Sequence, residues 1–205
     1  MNNCVNIGIT GPSGAGKSTI CDIISKYGYK ILDADEIAKD TINSNQECLD
    51  KLSKQFGNNT ILDGKLNRKY LADCAFKSKE ALKALSDITH PYIFERIKNE
   101  VLIINGEGNN TVVDAAALLE SRLNCLCDYV IAVIAPKDIR VKRIMKRDNL
   151  TYIQALNRIN AQNDDDFYIS KSRYVLNGSK SIILLQEEIK EIILRGLNNK
   201  NAATD

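Results

Sequence analysis

Residues Gly11-Pro12-Ser13-Gly14-Ala15-Gly16-Lys17-Ser18 make a complete G-x-x-x-x-G-K-[ST] motif. Glycines let the backbone curl so that successive N–H groups point into one concavity, and a helix starting near Lys17 adds the positive end of its dipole. That combination is a phosphate cradle. Its expected nucleotide contacts are Gly14, Ala15, Gly16, Lys17, Ser18 and Thr19, with Lys17 reaching the β- and γ-phosphates as a cation. The Ser18 hydroxyl is placed to hold a magnesium ion bridging the same oxygens. The alternative, a glycine turn in some unrelated α/β protein, does not explain four fixed residues flanked by the right elements.

Three further groups carry chemistry. Asp33 and Asp35 follow a short strand, where one carboxylate can accept a hydroxyl proton and a second can support magnesium; one of them can also simply cap the next helix. Asp114 closes another short apolar strand and is read either as magnesium-shell support or as a substrate contact. Arg140, Arg143 and Arg147, spaced by three and four, share one helix face, and their planar donor forks suit phosphate oxygens in a closing lid. The single histidine, His90, is by position alone more plausibly structural than catalytic.

These residues need elements to hold them. The β-branched residues 5–9 predict a strand, and residues 17–26 a helix that Gly28 closes. A second strand at 30–32 gives a β-loop-α-β order, hence a parallel sheet with ligands collecting at the carboxyl ends of its strands. Residues 35–104 show helical periodicity with little strand signal: segments at 36–43, 47–56, 68–77 and 79–88, and a new helix opening at Pro91. They are read as a helical insertion that binds the second substrate. Strands resume at 111–114 and 129–134. A helix from Pro136 to about Arg147 and one capped by Thr151, reaching about Gln162, form a lid region, 136–165. Tyr174-Val175-Leu176 is a final strand. A closing helix, 181–197, is expected to bury Ile182, Leu185, Ile189, Ile192 and Ile193, leaving a frayed tail from Asn198 to Asp205.

The chain of 205 residues, 44% hydrophobic and 26% charged, has room for one α/β domain with an insertion. A net charge of +2 spread along the chain gives no footprint for nucleic acid or an anionic membrane. No apolar run approaches the ~18 residues of a membrane span, and no basic-then-apolar leader is seen, so a cytoplasmic location is expected. Six cysteines sit mostly in apolar runs and read as core thiols of a reducing compartment, not as a disulfide frame or a zinc site.

Taken together, Thr10-Gly11 before the loop, Asp33-Ala34-Asp35-Glu36-Ile37-Ala38, Asp63-Gly64-Lys65-Leu66-Asn67-Arg68, His90-Pro91, Asp114 to Glu120 and Arg143…Arg147-Asp148 resemble, in order and spacing, the dephospho-coenzyme A kinases. The resemblance covers roughly residues 5–178. It implies a P-loop three-layer α/β sandwich with a five-stranded parallel sheet, and transfer of the γ-phosphate of ATP, with Mg2+, to the 3′-hydroxyl of dephospho-coenzyme A. By that resemblance Asp35 is the catalytic base, and Lys17 and Arg143 are phosphate-stabilising cations. Arg147 is a further lid contact on the nucleotide, and Thr10, Arg68, His90 and Asp114 line the acceptor pocket; Asp33, from its own position, is counted as a substrate contact and a candidate magnesium contact. The sequence departs from the family pattern at Pro12-Ser13, at Ala115-Ala116-Ala117 and at the short Leu176-Asn177-Gly178, where Asn177 is an open candidate for adenine contact. A kinase for a nucleoside, nucleotide or shikimate, and a nucleotide-dependent switch protein, are the alternative readings. Oligomeric state is left open.

Overall fold

The computed structural model describes residues 4–201. The chain divides into two compact units, one built from the segment up to Asp33 together with the chain from Val101 on, the other from Ala34–Glu100.

The first unit holds a five-stranded sheet in the order β2-β5-β1-β6-β7, formed by β1 (Asn6–Thr10), β2 (Lys30–Asp33), β5 (Thr111–Asp114), β6 (Tyr129–Ile134) and β7 (Tyr174–Asn177). Every pairing is parallel. Central strands of such a sheet are covered on both faces and so read as continuous apolar runs; in β6 the five residues from Tyr129 to Val133 are all buried. Two helices, α1 (Lys17–Ser25) and α9 (Ile182–Asn201), pack together and share one core with the sheet, where Ile7, Ile9, Ile20, Ile24, Leu185 and Ile189 meet. Gly28, at φ 85°, follows α1 and donates its N–H to Ser25 O, as the C-terminal glycine pattern predicts. A second pair, α6 (Lys137–Asp148) and α7 (Tyr152–Asn160), locks through Val141, Ile144, Ala155 and Ile159. Thr151 and Gln154 form a reciprocal capping box at the start of α7.

The second unit is helical: α2 (Ala34–Ser44), α3 (Gln46–Phe56), α4 (Arg68–Ala75) and most of α5 (Lys79–Gly106). Its core centres on Cys48, Leu52 and Leu71, with Ile42, Phe56, Leu85, Ile88 and Tyr92 packed around them.

Several sequence expectations change. Pro91 does not open a helix; it lies inside the 28-residue α5. Proline there removes one backbone bond and crowds the preceding turn, costing about 3 kcal/mol. Apolar residues on both sides of it, Leu85, Ile88, Ile93 and Ile97, are packed or buried, and each is worth roughly 1.5–3 kcal/mol, which outweighs that penalty. A two-residue hairpin, β3 (Ile61–Leu62) and β4 (Lys65–Leu66), interrupts the expected all-helical stretch. Its turn, Asp63-Gly64, has positive φ at both residues (51° and 73°), a strong hairpin signal whose flanking strands are too short to show periodicity. The short α8 (Asp165–Ile169), capped by Asp164, also escaped the periodicity reading. Ile182 is exposed, because it is the first residue of α9 and precedes the turn that meets the sheet. That helix runs on to Asn201, and residues 202–205 of the expected frayed tail lie outside the described residues. Among the described residues no helix is long and apolar enough to cross a membrane.

Candidate active site

The loop between β1 and α1 ends at Gly16, which takes a left-handed conformation (φ 108°) and offers no side-chain cap. The first bond inside α1 runs from Ile20 N to Gly16 O, so the amides of Lys17, Ser18 and Thr19 have no helical carbonyl to meet. Asn45, Asn67, Thr151 and Asp164 cover such amides in α3, α4, α7 and α8 with a side-chain oxygen, whereas α1, like α6 behind Pro136, has no side-chain cap. The start of α1 is therefore left open to an anion. Lys17 Nζ donates to Gly11 O at 3.0 Å, which keeps the cation over the loop.

The loop's outer side is held by side chains. Arg140 Nε donates to Ser13 O at 3.1 Å, and Ser13 N–H donates to Gln162 Oε1 at 2.9 Å. Arg143 Nη1 donates to Gly14 O and Ala15 O, both at 3.1 Å, and its Nη2 to Gly178 O at 2.8 Å. Arg140, expected with Arg143 and Arg147 on a phosphate-facing surface, is only 5% exposed and pairs with Asp165 at 3.3 Å. Burial lowers its guanidinium pKa, yet Asp165 opposes that shift. This side of α6 packs on the loop, so both arginines donate to backbone carbonyls and Arg140 Nη1 to Asp165, while Arg140 Nη2 is buried with no hydrogen-bond partner. Arg147 is turned outward and forms a two-point pair with Asp148, at 2.8 and 2.9 Å, whose carboxylate also accepts from Arg158.

Two carboxylates reach the same end of the sheet. The register sets Asp33 of β2 beside Asp114 of β5, and Asp114 beside Ile9, one residue before Thr10. Neighbouring strands lie about 4.8 Å apart, so these backbones are adjacent. Asp114 Oδ2 accepts a hydrogen bond from Cys21 Sγ at 3.4 Å. Asp33, Asp114 and Ser18 each carry hard oxygen atoms, the ligand type magnesium takes. Among the described residues no group of three or more His, Cys, Asp or Glu is arranged as a metal cage. Thr10 is fully buried and its hydroxyl donates to Ala116 O at 3.5 Å. Asn177 turns its Oδ1 to Ser179, accepting from both its N–H and its hydroxyl.

Asp35, Arg68 and His90 belong to the second unit. Asp35 is in the first turn of α2, exposed. Arg68 opens α4 and donates to Lys39 O at 3.3 Å. His90 is half-buried in α5 beside Pro91.

Sequence reasoning missed Gln162, Asp165, Cys21 and Gly178 as neighbours of the loop and its carboxylates. Only Gly178 carried a local signal, the Asn-Gly turn; the others meet the site through packing alone.

The sequence model of the dephospho-CoA kinase family matches residues 5–183. A dephospho-CoA kinase of Listeria innocua is 35% identical over 95% of this chain and 98% of its own length. One from Saccharomyces cerevisiae is 32% identical over 91% of this chain and 80% of its own. Among solved structures, a Thermus thermophilus protein superposes with a TM-score of 0.79 at 28% identity, covering 94% of this chain and 97% of its own. A dephospho-CoA kinase from Campylobacter jejuni gives a TM-score of 0.59 at 28% identity, covering 95% and 98%.

Proposed function

Because the chain belongs to the dephospho-CoA kinase family, and so phosphorylates dephospho-CoA at the expense of ATP, we propose how its own residues divide that work. The observation that carries the proposal is the uncapped start of α1 behind the glycine loop, with Lys17 folded over it. The α- and β-phosphates of ATP sit on the amides of Gly14 and of Gly16 to Thr19, and Lys17 moves from Gly11 O to the β- and γ-phosphates as the nucleotide enters.

Magnesium bound with the nucleotide would screen the charge that develops on the transferring group. Ser18, Asp33 and Asp114 would be the residues that hold it, since they offer the oxygen ligands it prefers. Asp35 accepts the proton of the acceptor's 3′-hydroxyl, while Arg68 and His90, in the same unit, contact the acceptor. Arg143 and Arg147 add cationic charge when the nucleotide is present. Transfer then needs mainly alignment and charge stabilisation. A cytoplasmic setting suits the chain's thiols: among the described residues no cysteine is in a disulfide.

A coupled ADP-release assay with magnesium-ATP and a panel of dephospho-CoA, AMP, CMP, uridine and shikimate tests the whole reading. Release confined to dephospho-CoA, with one phosphate gained at the 3′ position, is the expected result. Asp35→Asn should retain ATP binding and lose turnover by orders of magnitude; unchanged turnover removes Asp35 from the base role. The other small-molecule acceptors and the switch reading are not favoured by the family.

A further inference from the structure

Both polar groups of one loop residue, Ser13, are held from outside the loop. Its carbonyl accepts from Arg140 Nε and its N–H donates to Gln162 Oε1. Arg140 comes from α6 and Gln162 from the link just beyond α7, and these two helices pack on each other through Val141, Ile144, Ala155 and Ile159. Arg140 is itself fixed by Asp165. A residue gripped at both ends cannot rotate either of its peptide planes.

The direction of that grip matters. In a trans peptide the carbonyl of one residue and the N–H of the next point opposite ways. Arg140 and Arg143 together hold the carbonyls of Ser13, Gly14 and Ala15, so the amides of Gly14, Ala15 and Gly16 are turned away from the arginines. Of these, Ala15 N–H closes a turn onto Pro12 O at 3.2 Å, which leaves the amides of Gly14 and Gly16 on the side of the loop away from the arginines. On the arm before Gly14, Pro12 has no N–H and Ser13 has given its own to Gln162. Phosphate-facing donors therefore begin at Gly14.

We infer that Arg140 and Gln162 are positioning residues, a two-sided clamp on Ser13 that presets the amides of the loop for ATP phosphates before the nucleotide arrives. The inference rests on the reading that the loop holds those phosphates. Preorganised donors cost no reorganisation on binding, so loss of the clamp appears in nucleotide affinity and not in the chemical step. Arg140 is buried and its replacement threatens folding, whereas Gln162 is half-buried and open to substitution.

The test measures magnesium-ATP binding by calorimetry on the full chain as wild type, Gln162→Met, Gln162→Glu and Lys17→Met, with amide exchange of Ser13 in the nucleotide-free protein. Gln162→Met should weaken ATP about tenfold and expose the Ser13 amide to exchange, with kcat at saturating ATP retained and the KM for dephospho-CoA unmoved. Gln162→Glu should return ATP affinity to within about twofold of wild type, because a carboxylate accepts the same N–H. If Gln162→Met binds ATP like wild type while Lys17→Met does not, the clamp is wrong and the phosphate cradle stands. If Lys17→Met also binds like wild type, the cradle reading falls and takes the clamp with it. Should Gln162→Met fail to fold, a Ser13 amide that exchanges freely in the wild type overturns the inference alone.

Discussion

The Cys21 thiol donates to Asp114 Oδ2 at 3.4 Å, joining the second turn of the phosphate-loop helix to the end of β5. Burial, and then the adjacent carboxylate, push the thiol pKa well up, so it stays protonated and remains a donor. Replacing Cys21 by Val removes that donor from the Asp114 carboxylate and should destabilise the protein by about 1–3 kcal/mol. It should also raise the magnesium concentration needed for half-maximal activity. Cys21→Ser keeps a donor and should recover most of both. Chemical unfolding and a magnesium titration of the kinase assay check this; a Val variant matching wild type in both would remove Cys21 from any role beyond filling space.

Alkaline pH should loosen the fold. Burial, helped by the charge of Asp128, raises the Tyr29 phenol from 10.0 to about 12, and the Cys21 thiol is raised as well. For both groups the folded pKa lies above the unfolded one, so their contribution is intact below about pH 9 and is lost as pH rises toward the folded values. Urea midpoints at pH 8, 9.5 and 11 should fall in that order. The Tyr29 hydroxyl is buried without a hydrogen-bond partner, so Tyr29→Phe should cost almost nothing at pH 8 and flatten the decline above pH 10.

Gly178 is a steric requirement of the phosphate loop. A Cβ built there would lie 2.0 Å from Ala15 O and 3.1 Å from Ala15 C, and both are backbone atoms of the loop. Gly178 O also accepts from Arg143. Gly178→Ala should shift the loop and raise the KM for ATP by about tenfold or more, the equivalent of roughly 1.4 kcal/mol, with a lowered Tm. A KM within twofold of wild type would show that the loop absorbs the extra carbon.

Pro91 interrupts the hydrogen-bond ladder of α5. Pro91→Ala restores one backbone donor and relieves the ring's clash with the preceding turn, gains that together approach 3 kcal/mol. Loss of the proline's restriction on the unfolded chain takes back about 1 kcal/mol. Net stabilisation of about 2 kcal/mol by urea unfolding is the expected outcome; a variant no more stable than wild type would mean that α5 already bends to accommodate the ring.

Much of the site was legible because its chemistry is local. Residues 11–18 specify a glycine loop opening a helix, and the apolar runs at 5–9, 111–113 and 129–134 specify buried parallel strands. Capping residues such as Thr151 announce themselves within three positions. Asp33 and Asp114 could each be placed at a strand end by the same logic, though only sheet pairing made them neighbours.

What the sequence by itself determined was therefore the phosphate loop, the parallel-sheet class and the family, each written in adjacent residues or in a fixed period. What tertiary structure alone decided was the partnership of distant groups. Arg140 and Arg143 read as a phosphate-facing row because helical spacing says which side chains share a face, yet not what that face meets. Packing turned it onto the loop's carbonyls, and brought Gln162 to Ser13 across 149 positions of chain. Pro91 makes the same point from the other side. Its ring argues locally for a helix start, and burial of Ile93 and Ile97 beyond it overrides a local penalty of about 3 kcal/mol.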